Sequence, residues 1–215
     1  MSLFSRRSGR SAGAHGADPG PTLIGRRVLL RSLRESDFAE WSNVRLRCAS
    51  WLTIWEPLPV AGGADVERDP AAFASRCAAR AHERFTGSGF GFGLFVDGAF
   101  AGEVNLNLIH RGAFQSAYLG YWIDERHAGN GYTPEAVVLV LRFAFEQLQL
   151  HRVQISILPR NTASRRVVEK LGLRDEGVAQ GYLEINGVWE DHIRFAMTAE
   201  EWALCGDELM MSFVH

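Results

Sequence analysis

The sequence predicts a mixed α/β (α+β) domain with a mostly antiparallel central sheet, and three observations carry that prediction. Phe90 to Phe95, Phe100 to Ile109 and Phe114 to Ile123 are aromatic and branched segments in immediate succession, with Asp97-Gly98 as a hairpin signal between the first two. The third segment runs into the glycine loop Arg126-His127-Ala128-Gly129-Asn130-Gly131-Tyr132-Thr133 and then into Val137 to Leu148, which is apolar at helical spacing. Further on, Gly177 to Ile185 and Val188 to Met197 flank Asn186-Gly187, a second hairpin signal. An antiparallel meander that feeds one helix differs from the doubly wound plan of the dinucleotide folds.

Taken in order, residues 1–22 carry Arg6, Arg7 and Arg10 among Ser, Gly and Ala, with almost no large apolar residue to offset the entropy of ordering. This reads as a flexible basic tail without the apolar core of a signal peptide. Arg26 to Leu33 alternates and predicts a first strand, and Ser36-Asp37 opens a helix through Trp41 and Val44. Trp51 to Pro59, with two tryptophans and two prolines, predicts an aromatic loop, and Pro70 to Phe85 a second helix. Beyond the glycine loop, Val153 to Leu158 predicts a strand closed by Pro159. Asn161 caps a helix through Lys170, and Gly172 supplies its left-handed end. The expected domain spans 23–202, and 203–215 form a C-terminal extension with one short helix that caps rather than catalyses.

At 215 residues and 47% hydrophobic content, the chain buries enough surface for one domain. A formal net charge of -2 gives no global pull toward nucleic acid or membrane, and no apolar run approaches a membrane span. Cys48, Cys77 and Cys205 are odd in number and lack ligand spacing, which argues against a disulfide framework or a zinc site and for a reducing cytoplasm.

The loop carries the chemistry. Gly129 and Gly131 free the backbone to turn successive amides onto an anion, and the helix behind adds the positive end of its dipole. Thr133 is the expected N-cap, Pro134 the first helical residue, and Arg126 a charge-assisted contact to the same anion. A phosphate loop of the nucleotide-hydrolase kind needs a Lys after the last glycine, and a dinucleotide fingerprint needs a glycine where Pro134 stands; neither fits.

Strand, Arg-x-x-Gly-x-Gly, helix, then a second strand ending near Asn161 resembles the GNAT superfamily of acetyl-CoA-dependent N-acetyltransferases. Trp55-Glu56-Pro57, Arg111-Gly112-Ala113-Phe114, Leu119-Gly120-Tyr121, Asn161-Thr162-Ala163-Ser164 and Gly187-Val188-Trp189-Glu190-Asp191-His192 are similar to its ribosomal-protein-alanine N-acetyltransferase branch, the RimJ/RimL type, from about Gly25 to Trp202. That resemblance implies a sheet splayed at the acetyl-CoA site with helices on both faces. It also implies direct transfer of an acetyl group to a primary amine. The expected acceptor is a protein N-terminus, such as that of a ribosomal protein. A polyamine or aminoglycoside acetyltransferase and a non-catalytic acetyl-CoA-binding module are the alternatives.

By the same resemblance, the loop from Arg126 to Thr133 holds the pyrophosphate, Trp122 and Ile123 flank the thioester, and Asn161 and Ser164 meet the pantetheine arm. Ser164 is the candidate proton donor to the leaving sulfur and Tyr182 the alternative. A free α-amine titrates at about pH 8, so a carboxylate acting through water suffices as base. Glu103 is the first choice and Glu56 the second. Trp55, Glu56, Asn105 and Tyr121 are the expected acceptor-site residues. His127, His151 and His192 are expected to be structural or to position the acceptor; no metal is expected, and the protein is expected as a monomer or homodimer.

Overall fold

The computed structural model describes residues 20–59 and 62–215, so the expected tail lies outside it as far as residue 19. In chain order the elements are β1 (Leu23–Ile24), β2 (Val28–Arg31), α1 (Phe38–Arg47), α2 (Ala49–Leu52), α3 (Pro70–Thr86), β3 (Phe90–Val96), β4 (Ala99–His110) and β5 (Ser116–Ile123). They continue with α4 (Tyr132–Arg142), β6 (Arg152–Ile157), α5 (Thr162–Lys170), β7 (Arg174–Ile185), β8 (Val188–Thr198) and α6 (Ala199–Phe213). The strands form one sheet in the order β1-β2-β3-β4-β5-β6-β8-β7. Every neighbouring pair is antiparallel except β5 with β6.

Both hairpins close as expected. Asp97 and Gly98 have φ of 50° and 82°, and Asn186 and Gly187 have 48° and 82°, the paired left-handed residues that match the twist of the strands they join. Two expectations differ. The expected first strand, Arg26 to Leu33, is confined to Val28–Arg31, and the unexpected short strand Leu23–Ile24 precedes it and pairs with it across a turn in which the Gly25 N–H donates to the Val28 carbonyl at 2.9 Å. The aromatic loop contains α2 and a 3-10 turn at Thr53–Trp55, because Leu52 is drawn into the core beside Trp41 and Val44.

Strand alternation divides the core between the two faces of the sheet. Leu30, Leu94, Val104, Leu106 and Leu119 meet α4, whose Val137, Val140 and Leu141 are fully buried. Each such side chain contributes about 1.5–3 kcal/mol relative to exposure. On the other face Phe95 and Phe100 pack with Trp41, Val44 and Phe73 of α1 and α3. The expected break after residue 202 falls inside α6. Trp202, Leu209 and Met210 of that helix belong to the α4 core, and the Trp202 ring stacks on Phe145 at 5.8 Å. The C-terminal segment is therefore integral to the domain.

The site is set by the one parallel pair. β5 and β6 are in register only from Ser116, Ala117 and Tyr118 to Arg152, Val153 and Gln154. Beyond that β6 follows β8 as far as Ile157 while β5 follows β4 to Ile123, and the sheet splays open between them.

Candidate active site

The loop is fastened at the end of β5. The Asp124 N–H donates to the Ala101 carbonyl at 2.7 Å, and its buried carboxylate accepts from the Arg126 N–H at 3.1 Å, the Cys48 thiol at 3.3 Å and the Arg47 guanidinium. Burial works to raise this carboxyl, but those hydrogen bonds and the Arg47 charge outweigh it and hold the pKa below the usual range. Asp124 is thus a fixed anion under the loop. The 3-10 turn that follows consumes the His127 and Ala128 N–H groups, on Asp124 O at 2.8 Å and Glu125 O at 3.2 Å. Gly129 and Gly131 then take φ of 80° and 82°, which turns the next amides the other way.

The helix starts two residues earlier than expected. Gly131 is the N-cap, its carbonyl accepting from the Glu135 N–H at 3.3 Å, so Thr133 and Pro134 are the second and third helical residues. Proline remains harmless there, since the first four N–H groups of a helix have no partner within it. The Tyr132 and Thr133 amides, with the helix dipole, face outward beside the gap in the sheet.

Arg126, the expected contact to the anion, stands at the start of the loop. Its main-chain N–H faces Asp124 and its side chain is exposed, outside the cleft wall. Arg27 is the basic residue that grips the loop. Its guanidinium lies 5.1 Å from the Tyr132 ring centre, with Nη1 donating to Asn130 O at 3.0 Å and Nε to Glu135 Oε2 at 2.9 Å. Glu135 is fully buried and also accepts the Arg27 N–H at 2.7 Å. Neither residue carries a sequence signal, since one reads as part of a strand and the other as an ordinary helix residue. The Asn130 side chain braces the loop through His127 O and Ala128 O, both at 3.3 Å.

The gap opens into a cleft of about 1270 Å³ walled by Tyr121, Trp122 and Ile123 of β5, by His127, Ala128 and Gly129 of the loop and by Asn161 and Ser164 of α5. A Cβ at Gly129 would meet nothing within 4 Å, so the loop leaves room for a bulky anion, and the site fits a coenzyme A pyrophosphate. Asn161 Oδ1 accepts the Ser164 N–H at 3.0 Å and so caps α5. The Ser164 hydroxyl donates to Tyr121 Oη at 3.0 Å, and Tyr121 Oη donates to the Ser164 carbonyl at 3.0 Å. Burial pushes the Tyr121 phenol well above its ordinary pKa despite the Ser164 hydrogen bond, so it keeps its proton. The sequence placed Tyr121 with the acceptor; the structure joins it to Ser164.

The other expected residues separate. Glu103 is buried with both oxygens engaged: Oε1 accepts from Trp41 Nε1 at 2.6 Å, and Oε2 from Arg76 at 2.6 Å and Asn105 Nδ2 at 3.3 Å. It does not line the main cleft, and its charge is taken up by Arg76, which removes the physical basis for a free general base. Tyr182 sits 5.8 Å from the His192 ring and hydrogen-bonds Tyr118, raising the pKa of that phenol. Tyr118 and Tyr121 are three residues apart on β5 and point to opposite faces, so Tyr182 lies on the wrong side of the sheet to reach Ser164.

Glu56 makes two hydrogen bonds of 2.7 Å to Arg45 and lines the cleft as one half of an ion pair. Trp55 also lines the cleft, belongs to neither core cluster, and lies under the Arg160 guanidinium at 5.3 Å. The Glu56 carbonyl accepts the Asn186 N–H at 3.0 Å, which ties this segment to the turn between β7 and β8. Asn105 lies where the cleft meets two smaller cavities, and its buried Oδ1 has no partner among the described residues.

A mixed sheet splayed at one parallel pair, with a left-handed glycine loop at a helix start beside the gap, defines an acetyl-CoA-dependent N-acetyltransferase with acetyl-CoA as cosubstrate. The chain belongs to the acetyltransferase (GNAT) domain family, whose model matches residues 27–174. Among solved structures it is similar to RimJ of Mycobacterium smegmatis in complex with CoA-disulfide, at 34% identity and a TM-score of 0.80 over 90% of this chain and 92% of that one. It is 29% identical to the [ribosomal protein uS5]-alanine N-acetyltransferase of Escherichia coli over 183 residues, 82% of this chain and 90% of the relative. It is also 48% identical to the probable N-acetyltransferase YjcK of Bacillus subtilis over 103 residues, a match that spans 57% of that protein. No helix among the described residues is long and apolar enough to cross a membrane.

Proposed function

We propose that this protein acetylates the N-terminal α-amine of a protein, and that a ribosomal protein is the substrate. The Tyr121–Ser164 pair at the mouth of the splay carries the reading, because it sets two hydroxyls where the sulfur of a thioester laid along the gap would leave. Two relatives that cover most of the chain point the same way, as one is RimJ and the other acts on a ribosomal-protein alanine.

In this mechanism acetyl-CoA supplies the thioester, and the amides from Gly129 to Thr133 hold its pyrophosphate. A main-chain N–H of β5 near Ile123, freed by the splay, faces the carbonyl oxygen. The incoming amine approaches along the cleft beside Asn105 and Trp122. The N–C bond forms, the C–S bond breaks, and sulfur takes the bond's electrons and a proton from the hydrogen-bonded Tyr121–Ser164 pair, to which solvent returns one proton as it receives the proton of the amine. The amine proton passes to water. With Glu103 and Glu56 both paired to arginine, no strong base is at hand, which suits an α-amine titrating at about pH 8 better than a lysine some 2.5 units higher.

A polyamine needs an acidic wall, whereas the charged residues along the cleft are Arg80, Arg160, Arg166 and Lys170 against the paired Glu56. Incubation with acetyl-CoA and peptides that begin with Ala, Ser or Thr, followed by release of free thiol, tests the proposal. Turnover also removes the non-catalytic alternative, and silence across the three peptides overturns the reading.

A further inference from the structure

We infer that Arg27 is a positioning residue for coenzyme A that acts through Glu135, cancelling a buried negative charge that would otherwise stand in the helix turn that receives the pyrophosphate. The inference holds whichever amine is the acceptor. Glu135 lies in the first turn of α4, three residues after Tyr132, so its backbone is about 4.5 Å along the axis from the first helical amide. Its side chain is 0% exposed. An anion in the first turn takes up the same dipole field that a bound phosphate uses, and burial keeps salt from screening it.

Both oxygens of this carboxylate are matched by one residue. Arg27 donates its main-chain N–H to Oε1 at 2.7 Å and its Nε to Oε2 at 2.9 Å, and no other cation among the described residues forms an ion pair with Glu135. The place is cleared by Gly25, where a Cβ would come within 2.5 Å of Oε1. The turn between β1 and β2 is therefore shaped around an acid that belongs to α4.

The same guanidinium extends to the loop. Nη1 donates to Asn130 O at 3.0 Å, and a Cβ at Gly131 would stand 3.2 Å from Nη2. With Glu135 neutralised, the amides of the loop and the dipole of α4 are left to the ligand. A purely structural ion pair would weaken coenzyme A binding alike whichever partner is lost. Charge cancellation gives opposite signs, because loss of Arg27 leaves an anion beside the site and loss of Glu135 leaves a cation.

The test is calorimetric titration of coenzyme A alone, with urea unfolding in parallel, so its outcome is independent of the acceptor. Arg27→Gln should raise the dissociation constant by about tenfold or more. Glu135→Gln should bind within about threefold of the wild type or more tightly, although its fold should be less stable to urea. The double variant Arg27→Gln with Glu135→Gln should recover most of the affinity that Arg27→Gln loses. A loss beyond about threefold in Glu135→Gln overturns the inference, as does a double variant that binds no better than Arg27→Gln, or wild-type affinity in Arg27→Gln. If Arg27→Gln shows no cooperative unfolding transition, the affinity of Glu135→Gln decides by itself.

Discussion

The Tyr121 phenol lies 3.0 Å from the Ser164 hydroxyl and 3.0 Å from the Ser164 carbonyl, so a single side chain spans the gap in the sheet from β5 to the first turn of α5. The contact joins residues 43 apart in the chain and holds the two walls of the cleft at a fixed distance. Tyr121→Phe should lower kcat by about 100-fold, the low end for a lost general acid, with little change in the KM for acetyl-CoA. Ser164→Ala should cost less, because the phenol keeps its proton and its bond to the Ser164 carbonyl. Steady-state thiol release on both variants decides; equal, small effects would remove the proton-donor role from the pair.

Glu103→Gln separates structure from catalysis. Removing one charge from the pair with Arg76 should destabilise the fold by roughly 3 kcal/mol, the lower part of the range for breaking a buried ion pair. Urea unfolding measures this. The pH dependence of kcat should keep its shape, whereas the loss of an acidic limb would show that Glu103 acts as a base after all.

Gly131→Ala should weaken coenzyme A binding. At φ 82° an L side chain costs about 1–2 kcal/mol, and the new Cβ would stand 3.2 Å from Arg27 Nη2, pushing on the residue that grips the loop. A rise in dissociation constant of about tenfold is expected by calorimetric titration.

Acid should unfold the protein in part through Glu176. Its hydrogen bond to Arg152 at 2.7 Å, and then that to Arg174, hold the carboxyl at about 2 against an ordinary 4.5. A carboxyl depressed in the folded state binds its proton more readily in the unfolded chain. The stability it contributes is therefore complete above pH 4.5 and disappears as pH falls toward 2. Glu176→Gln should be less stable than the wild type at neutral pH and equal to it at pH 2, read from urea midpoints across that window.

Truncation after Trp202 should destabilise the whole domain rather than trim a tail. Leu209 and Met210 are buried against the α4 core, and their loss alone removes about 3–6 kcal/mol of apolar burial. Thermal unfolding of the shortened chain should show a lowered midpoint or no cooperative transition; an unchanged midpoint would make α6 dispensable.

The sequence by itself determined what depends on neighbours along the chain. Asp97-Gly98 and Asn186-Gly187 set their hairpins because two consecutive left-handed residues suffice to reverse a strand, and Gly129 and Gly131 announced the loop for the same local reason. The cap at Asn161 was legible because it closes within three residues. Tertiary structure decided everything that depends on what stands opposite. Glu103 read as a free carboxylate until Trp41 and Arg76 were placed on it, the loop gained a hold from Arg27 that the sequence did not signal, and Tyr121, rather than Tyr182, met Ser164. The physical reason is the same in each case. Whether a charge is spent or a proton available is fixed by partners tens of residues away, and the register and splay of the sheet choose those partners.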